Sequence, residues 1–410
     1  MENVKLSTQA EVNAFVSTSI TGDLTIEGSD IDDLSPLLTL NFVSGYLWID
    51  NNLVLTNLDG LSNLISVDGD LRIRRNASLT NLAGLGNLIS VGGELVIENN
   101  SVLTNLNDLN NLTSVGDLRI QLNLALINLD GLSNISLVGG DVDIRDNDSI
   151  TNLAGLSNII SVGGSLGIWD NNSLTNLDGL NNLASVGGEL SIGFNPGLTN
   201  LAGLSNLASV GGILSLYCNA ALTNLDGLRN LASVGGTLQI YKNLTLSNLD
   251  GLSNITFVGG ALGIENNPSL TNLNGLCNLT LVGGNLEIGY NDSITNLDGL
   301  SNLASVGLDL SIKRNLVLTN LEGLSNLISV DGELWIEGNP SLVNIDGLNN
   351  LNSVGENLVI KHNPALVNLD GLSNITFVGG TLGITHNPAL TDLAGLSNLT
   401  ENKTYLPTRK

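Results

Sequence analysis

A short motif of the form Leu-x-Ile, or a close variant, opens a new stretch sixteen times in this chain, almost always 24 residues after the last. Fifteen of those stretches place an Asn at the same offset. Residues 71–94 can stand for nearly the whole protein. A sequence periodic at this length cannot bury its apolar side within one repeat, so each turn must stack on its neighbours. The period therefore predicts a β-solenoid of about 24 residues per turn, with a long parallel sheet and little or no α-helix in the repeats.

Within the turn that begins at Leu71, Leu71 and Ile73 alternate with Arg72 and Arg74, the two-residue period of a strand with one buried face. Leu79, Leu82, Leu85 and Leu88 follow at three-residue spacing, which predicts a bent or 3₁₀-like path that returns side chains to one side. Val91 closes the core, and Gly92-Gly93 turns the chain toward the next strand. The Asn column running from Asn52 to Asn387 reads as scaffold, because an inward amide can satisfy backbone groups at a bend and pair with neighbouring turns. A second column, Asp or a substitute before a Gly-Leu step, includes Asp59, Ala83, Asn107 and Asp130. Stacked carboxylates there could bridge calcium. Its Ala and Asn interruptions favour local capping by Asp and Asn instead.

Composition narrows the alternatives. Apolar residues make up 42% of the 410 but aromatics only 3%, so Leu, Ile and Val must supply the core. Thirty-nine acidic residues against 14 basic ones give a formal charge of -25, a surface that repels nucleic acid and anionic membranes. Cys218 and Cys277 are too many turns apart to bridge, at roughly 4.8 Å per turn. The first residues lack the apolar run of a signal peptide, and no apolar stretch is long enough to span a membrane. Residues 1–20 leave the repeat and carry Val12, Ala14, Phe15 and Val16 as apolar capping surface; residues 21–400 form one continuous solenoid of about 16 turns. Residues 401–410 form a polar tail, read as a truncation point. Two turns shorten to 23 residues, one from Leu24 to Leu47 and one from Leu95 to Leu118, where a glycine is lost around Gly116.

Chemistry concentrates where the repeat varies. One, three and four residues after the first strand leucine lie nine of the 14 basic residues, both histidines and all three tryptophans. The strand sheet is thus the candidate recognition face. Arg72, Arg74, Arg75, Arg119 and Arg145, with Glu98 and Asp143 among them, form a local positive island. It can dock a carboxylate, a sulfate or an acidic protein surface, or can simply balance charge within an acidic sheet. Trp169, Phe194, Tyr217 and Tyr241 occupy consecutive turns, with Tyr290 two turns further, beside the small residues Gly167, Ser191, Gly193, Ser215 and Gly263. Such rings can stack on sugars or anchor a protein, or can stack on one another to stabilise the sheet. No nucleophile elbow, phosphate loop or zinc-ligand motif is present, so neither enzymatic activity nor a cofactor or metal is expected. His362 and His386, on adjacent turns, lack further ligands. A column of Thr that includes Thr80, Thr175, Thr271 and Thr319 admits a lesser reading as an ice-binding face.

The turn pattern Leu-x-Ile-x-x-Asn-x-x-Leu-Thr-Asn-Leu-x-Gly-Leu-x-Asn-Leu-x-x-Val-x-Gly resembles the receptor L-domain type of leucine-rich repeat, over roughly residues 7–400. It is similar to arrays on secreted or cell-surface bacterial proteins, and the stretches Ser7–Phe15 and Ile20–Ile26 resemble the beginnings of such arrays. The resemblance implies export, an upstream signal peptide and a downstream sorting or anchoring segment. It names no ligand. The expected function is extracellular recognition or adhesion of a protein or glycan through the variable sheet face, without direct membrane insertion; the alternative is a passive rigid spacer.

Overall fold

The structure, a computed structural model, describes residues 3–405. It falls into two compact units, Met1–Leu198 with Ala202–Leu207 and Thr199–Leu201 with Ala208–Lys410. Both are leucine-rich-repeat-like parallel β-solenoids.

In the first unit, Val4–Leu6 pairs in parallel with Leu24–Ile26, which pairs with Leu47–Asp50. The ladder continues through Leu71–Arg74, Ser90–Glu98, Ser114–Gln121, Val142–Arg145, Leu166–Trp169 and Leu190–Gly193. A helix, Gln9–Asn13, begins at Thr8, whose side chain accepts from the Glu11 amide. Of the apolar residues expected to cover the first turn, Val12 is fully buried, whereas Val16 stays 86% exposed; Leu6 and Ile20 share the covering with Val12. The lost glycine near Gly116 leaves a local register shift between Val91 and Glu94, after which Glu94 faces Asp117.

The second unit repeats the arrangement from Leu214–Tyr217 through Leu238–Tyr241, Leu262–Glu265, Leu286–Gly289, Leu310–Lys313, Leu334–Glu337 and Leu358–Lys361. Phe377–Thr385 follows. Within the segment read as a polar tail, Glu401–Tyr405 is a further parallel strand on Phe377–Thr385; positions 406–410 of that segment lie outside the described residues. In the turn starting at Leu238, the side chains of Leu238, Ile240, Leu246, Leu249, Leu252, Ile255 and Val258 are all fully buried. That set is the predicted alternation plus the three-residue run. Within that run Asp250–Leu252 is a 3₁₀ turn.

Three asparagine columns serve the solenoid, two of them by bonding across turns. The buried one is the expected scaffold: the Asn243 amide donates to Asn267 Oδ1 at 3.1 Å, and Asn267 Nδ2 donates to the Ile240 carbonyl at 2.9 Å. The second caps the 3₁₀ turns, with the Asp250 amide donating to Asn248 Oδ1 at 3.1 Å. This corrects the expectation for the Asp column. Its side chains do not cap the turn, since no side-chain cap bond is made at the residue preceding Asp250; the Asn two residues upstream supplies the acceptor. The third ties successive turns, as where Asn278 Nδ2 donates to the Ser253 carbonyl at 2.7 Å.

The residue before each buried Asn sits in the left-handed region, whatever its type: Asn99 at φ 52°, Leu122 at 58°, Phe194 at 51° and Tyr290 at 57°. The bend out of the strand dictates that conformation, and for a branched or bulky L-residue it costs about 1–2 kcal/mol. Leu122, 40% exposed, gains little burial in return. Leu122→Asn is therefore expected to stabilise the protein by about 0.5–1 kcal/mol, read as a raised urea midpoint at unchanged m-value. An unchanged or lowered midpoint would show that the leucine side chain offsets its backbone strain.

Candidate recognition face

Parallel register places the outward strand residues of successive turns side by side. In the first unit Trp48, Arg72, Val96, Arg119 and Asp143 form one row, and Asp50, Arg74, Glu98, Gln121, Arg145 and Trp169 form the next. The five predicted arginines do converge, but each meets an acid. Arg72 pairs with Asp70 at 2.9 Å and Glu94 at 3.3 Å, and Arg119 pairs with Glu94 at 2.8 Å. Arg74 and Arg75 both reach Asp50 at 2.8 Å, Arg75 by two hydrogen bonds. Arg145 lies 3.4 Å from Asp143 and donates to Gln121 Oε1 at 2.6 Å. Asp50, Asp70, Glu94, Glu98 and Asp143 thus match five guanidiniums with five carboxylates. Burial pushes the Asp50 carboxyl up, but the hydrogen bonds and charge of Arg75 and Arg74 outweigh it and hold the group below the usual carboxylate range. For Asp143 burial wins over Arg145 and Arg119, and its pKa is raised.

The aromatic residues divide between two offsets. Trp169 lies at the strand end of the first unit, with the Arg145 guanidinium 4.9 Å from its ring centre. Gly167 does not bare this ring: a Cβ there would stand 2.8 Å from Trp169 Nε1, so the missing side chain seats the indole across its own strand. Phe194, 46% exposed, occupies the left-handed position that follows. In the second unit Tyr217 and Tyr241 stack at 5.2 Å with an interplanar angle of 6°. Burial, then the neighbouring Tyr217 and Cys218, raises the Tyr241 pKa. Tyr290, 41% exposed, holds Arg314 at 5.5 Å.

Further along the second unit is a group that sequence reading left unconnected. Trp335 stands between Lys313 at 5.2 Å and Lys361 at 4.8 Å and donates from Nε1 to Glu337 at 2.7 Å. Beside it, Asn285, Leu286, Glu287, Asp309, Ser311, Lys313, Glu333 and Trp335 line a shallow recess of about 110 Å³. Only the offsets could have signalled it: Glu287, Ser311 and Trp335 share one column, and Ser is the small member between two large ones.

Elsewhere the polar side chains serve the solenoid. Thr80 Oγ1 donates to the Thr56 carbonyl at 3.1 Å and accepts from Asn81 Nδ2 at 3.1 Å; Thr271 and Thr319 likewise donate to the preceding turn. His362 and His386 stack at 4.4 Å. Among the described residues no group of three or more His, Cys, Asp or Glu side chains is arranged to hold a metal ion. Neither cysteine forms a disulfide; Cys277 is exposed and Cys218 half-buried. No helix among the described residues is long and apolar enough to cross a membrane.

No family model matches the chain, and no curated protein matches it. Among solved structures, an internalin (inlF) from Listeria monocytogenes is 18% identical, covering 98% of this chain and 90% of its own, with a TM-score of 0.36. TLR13, solved as its ssRNA13 complex, is 15% identical and covers 88% of this chain and 74% of its own, at a TM-score of 0.20. The leucine-rich-repeat character rests on the register and the Asn ladder of this chain itself.

Proposed function

We propose that this protein is a non-catalytic recognition or adhesion module, displayed outside the cell, that meets a protein or glycan through the outward face of its strands. One observation carries the reading. Tryptophan, tyrosine, arginine and lysine side chains gather at the outward and exit positions of the strands, while off the strand face hydroxyls such as those of Thr80, Thr271 and Thr319 and amides such as that of Asn278 are taken up by turn-to-turn hydrogen bonds. The same commitment of Thr hydroxyls weakens the ice-binding alternative. Trp169, Phe194, Tyr217, Tyr241 and Tyr290 are the favoured contact residues. The arginine island ranks below them, because a ligand there must displace carboxylates already in place.

A second reading, a rigid spacer, draws support from the flat Tyr217–Tyr241 stack and from the matched charges around Asp50. The two separate in a binding screen of the purified chain on a glycan and surface-protein array. The variants are Trp169→Ala with Tyr217→Ala, and Arg72→Ala with Arg74→Ala. A ligand lost in the aromatic variant alone is the expected result. Loss only in the arginine variant moves the site to the island, and the absence of any ligand supports the spacer.

A further inference from the structure

The recess in the second unit is built rather than incidental. Strands Leu286–Gly289, Leu310–Lys313 and Leu334–Glu337 lie in register, so Ser311 sits between Glu287 and Trp335 and makes the floor of a notch. Lys313 at the end of its strand and Asp309 just before the strand bound it, and Asn285 and Glu333 flank Asp309. Ser311 is 8% exposed, and its hydroxyl has no hydrogen-bond partner. A hydroxyl held out of water with nothing to bond destabilises the fold, and a ligand group at that point would recover the loss.

The bonding capacity around it is evenly divided. The Asp309 amide donates to Asn285 Oδ1 at 3.1 Å, leaving the Asn285 Nδ2 donor over. The Glu333 amide donates to Asp309 Oδ1 at 2.8 Å, and Asn357 Nδ2 donates to Glu333 Oε1 at 2.5 Å, leaving Asp309 Oδ2 and Glu333 Oε2 as acceptors. Lys361 pairs with Glu337 at 3.2 Å, whereas the Lys313 ammonium rests on the Trp335 ring without an ion-pair partner among the described residues. A cation would use the carboxylates but face Lys313. An anion would use Lys313 but face Glu287, Asp309 and Glu333. Adjacent hydroxyl groups, each able to donate and accept, serve both halves at once.

We propose that this recess binds one neutral hexopyranose unit, the exposed end of a glycan, through its vicinal hydroxyls, with Ser311 Oγ at the floor and the Trp335 side chain as apolar wall. The proposal rests on the reading of the strand face as a recognition surface and places on it a sugar subsite whose lining includes neither Trp169 nor Tyr217. An open recess of about 110 Å³ holds only part of such a ring, so the affinity of a single unit is millimolar.

The test is a titration of the full chain with methyl glycosides of glucose, galactose, mannose and N-acetylglucosamine, followed by saturation-transfer NMR. Ser311→Leu fills the notch at a column that elsewhere holds Arg72, Val96 and Val359 without loss of register. Asp309→Asn keeps the acceptor for the Glu333 amide while turning the free acceptor into a donor. At least one glycoside is expected to bind, about tenfold or more weakened by either substitution and unchanged by Arg229→Gln, which lies on a 3₁₀ turn off the strand face. Three results overturn the proposal: no glycoside bound up to about 50 mM, binding undiminished by Ser311→Leu, or butylammonium bound more tightly than every glycoside. An array ligand lost through the aromatic variant with no glycoside binding sinks the subsite alone. Glycoside binding lost in Ser311→Leu upholds the subsite even where the array finds nothing.

Discussion

Replacing Asn267 by Ala is expected to cost about 3–5 kcal/mol, the sum of two orphaned buried backbone groups and a small void. Asn267 is fully buried. Its Oδ1 accepts from the Asn243 amide at 3.1 Å, and its Nδ2 donates to the carbonyls of Ile240 at 2.9 Å and Glu265 at 3.0 Å. Ala leaves the Asn243 N–H and the Ile240 carbonyl without their side-chain partner, in a place where water does not reach. Because a solenoid's stability is a sum of repeat and nearest-neighbour terms, the damage falls on the coupling between two adjacent turns. Urea unfolding followed by circular dichroism should then show a lower midpoint and a broader transition. A loss below about 1 kcal/mol would mean that the ladder is redundant and that the leucine layers alone hold the turns in register.

The second large effect comes from a glycine. A Cβ on Gly299 would stand 1.8 Å from the carbonyl oxygen of Leu273, 2.1 Å from its carbon and 2.7 Å from the Asn274 nitrogen. All three are backbone atoms of the preceding turn, so no rotamer relieves the contact. The backbone at Gly299 is not left-handed, and the requirement is therefore one of space, not of torsion. Gly299→Ala must push two turns apart across the core and is expected to cost about 3 kcal/mol or more. Two controls isolate the cause. Gly338, at φ 68°, has Arg314 Cγ as its nearest contact at 3.2 Å, and Gly338→Ala should cost about 1–2 kcal/mol through torsional strain. Gly263, whose nearest contact is Glu265 Oε1 at 3.7 Å, should accept Ala with little change in the urea midpoint. Equal losses at all three positions would show that neither close approach nor torsion sets the cost, because Gly→Ala acting through the unfolded chain alone stabilises.

These residues also mark how far the sequence is legible. The ladder could be read from periodicity because an invariant amide at a bend has few other uses. The Asn of Asn248 type caps the 3₁₀ turn that the Asp of Asp250 type was expected to cap. The error has a physical origin: both residue types can cap, and only backbone geometry decides which side chain reaches the free N–H. The arginine island was visible as a set of charges. Its compensation through Asp50 was not, since Asp50 meets Arg74 and Arg75 only when chain positions 24 and 25 residues apart are laid side by side. The small residues beside the aromatics likewise suggested uncovered rings, and Gly167 proves to be the seat of the Trp169 indole.

Periodicity gives the period, the buried columns, a 3₁₀ turn within the leucine run and the placing of chemical variety on the strand face. Each of these follows from one residue's hydrophobicity or hydrogen-bonding capacity, repeated at a fixed interval. Tertiary structure alone decided which varied residues become neighbours and in what state. It paired each arginine of the island with an acid, laid Tyr217 flat on Tyr241, and set Ser311 as a notch between Glu287 and Trp335. Burial depends on a residue's own position in the turn, whereas a site depends on register and side-chain packing between turns, which the repeat fixes only once the chain is wound.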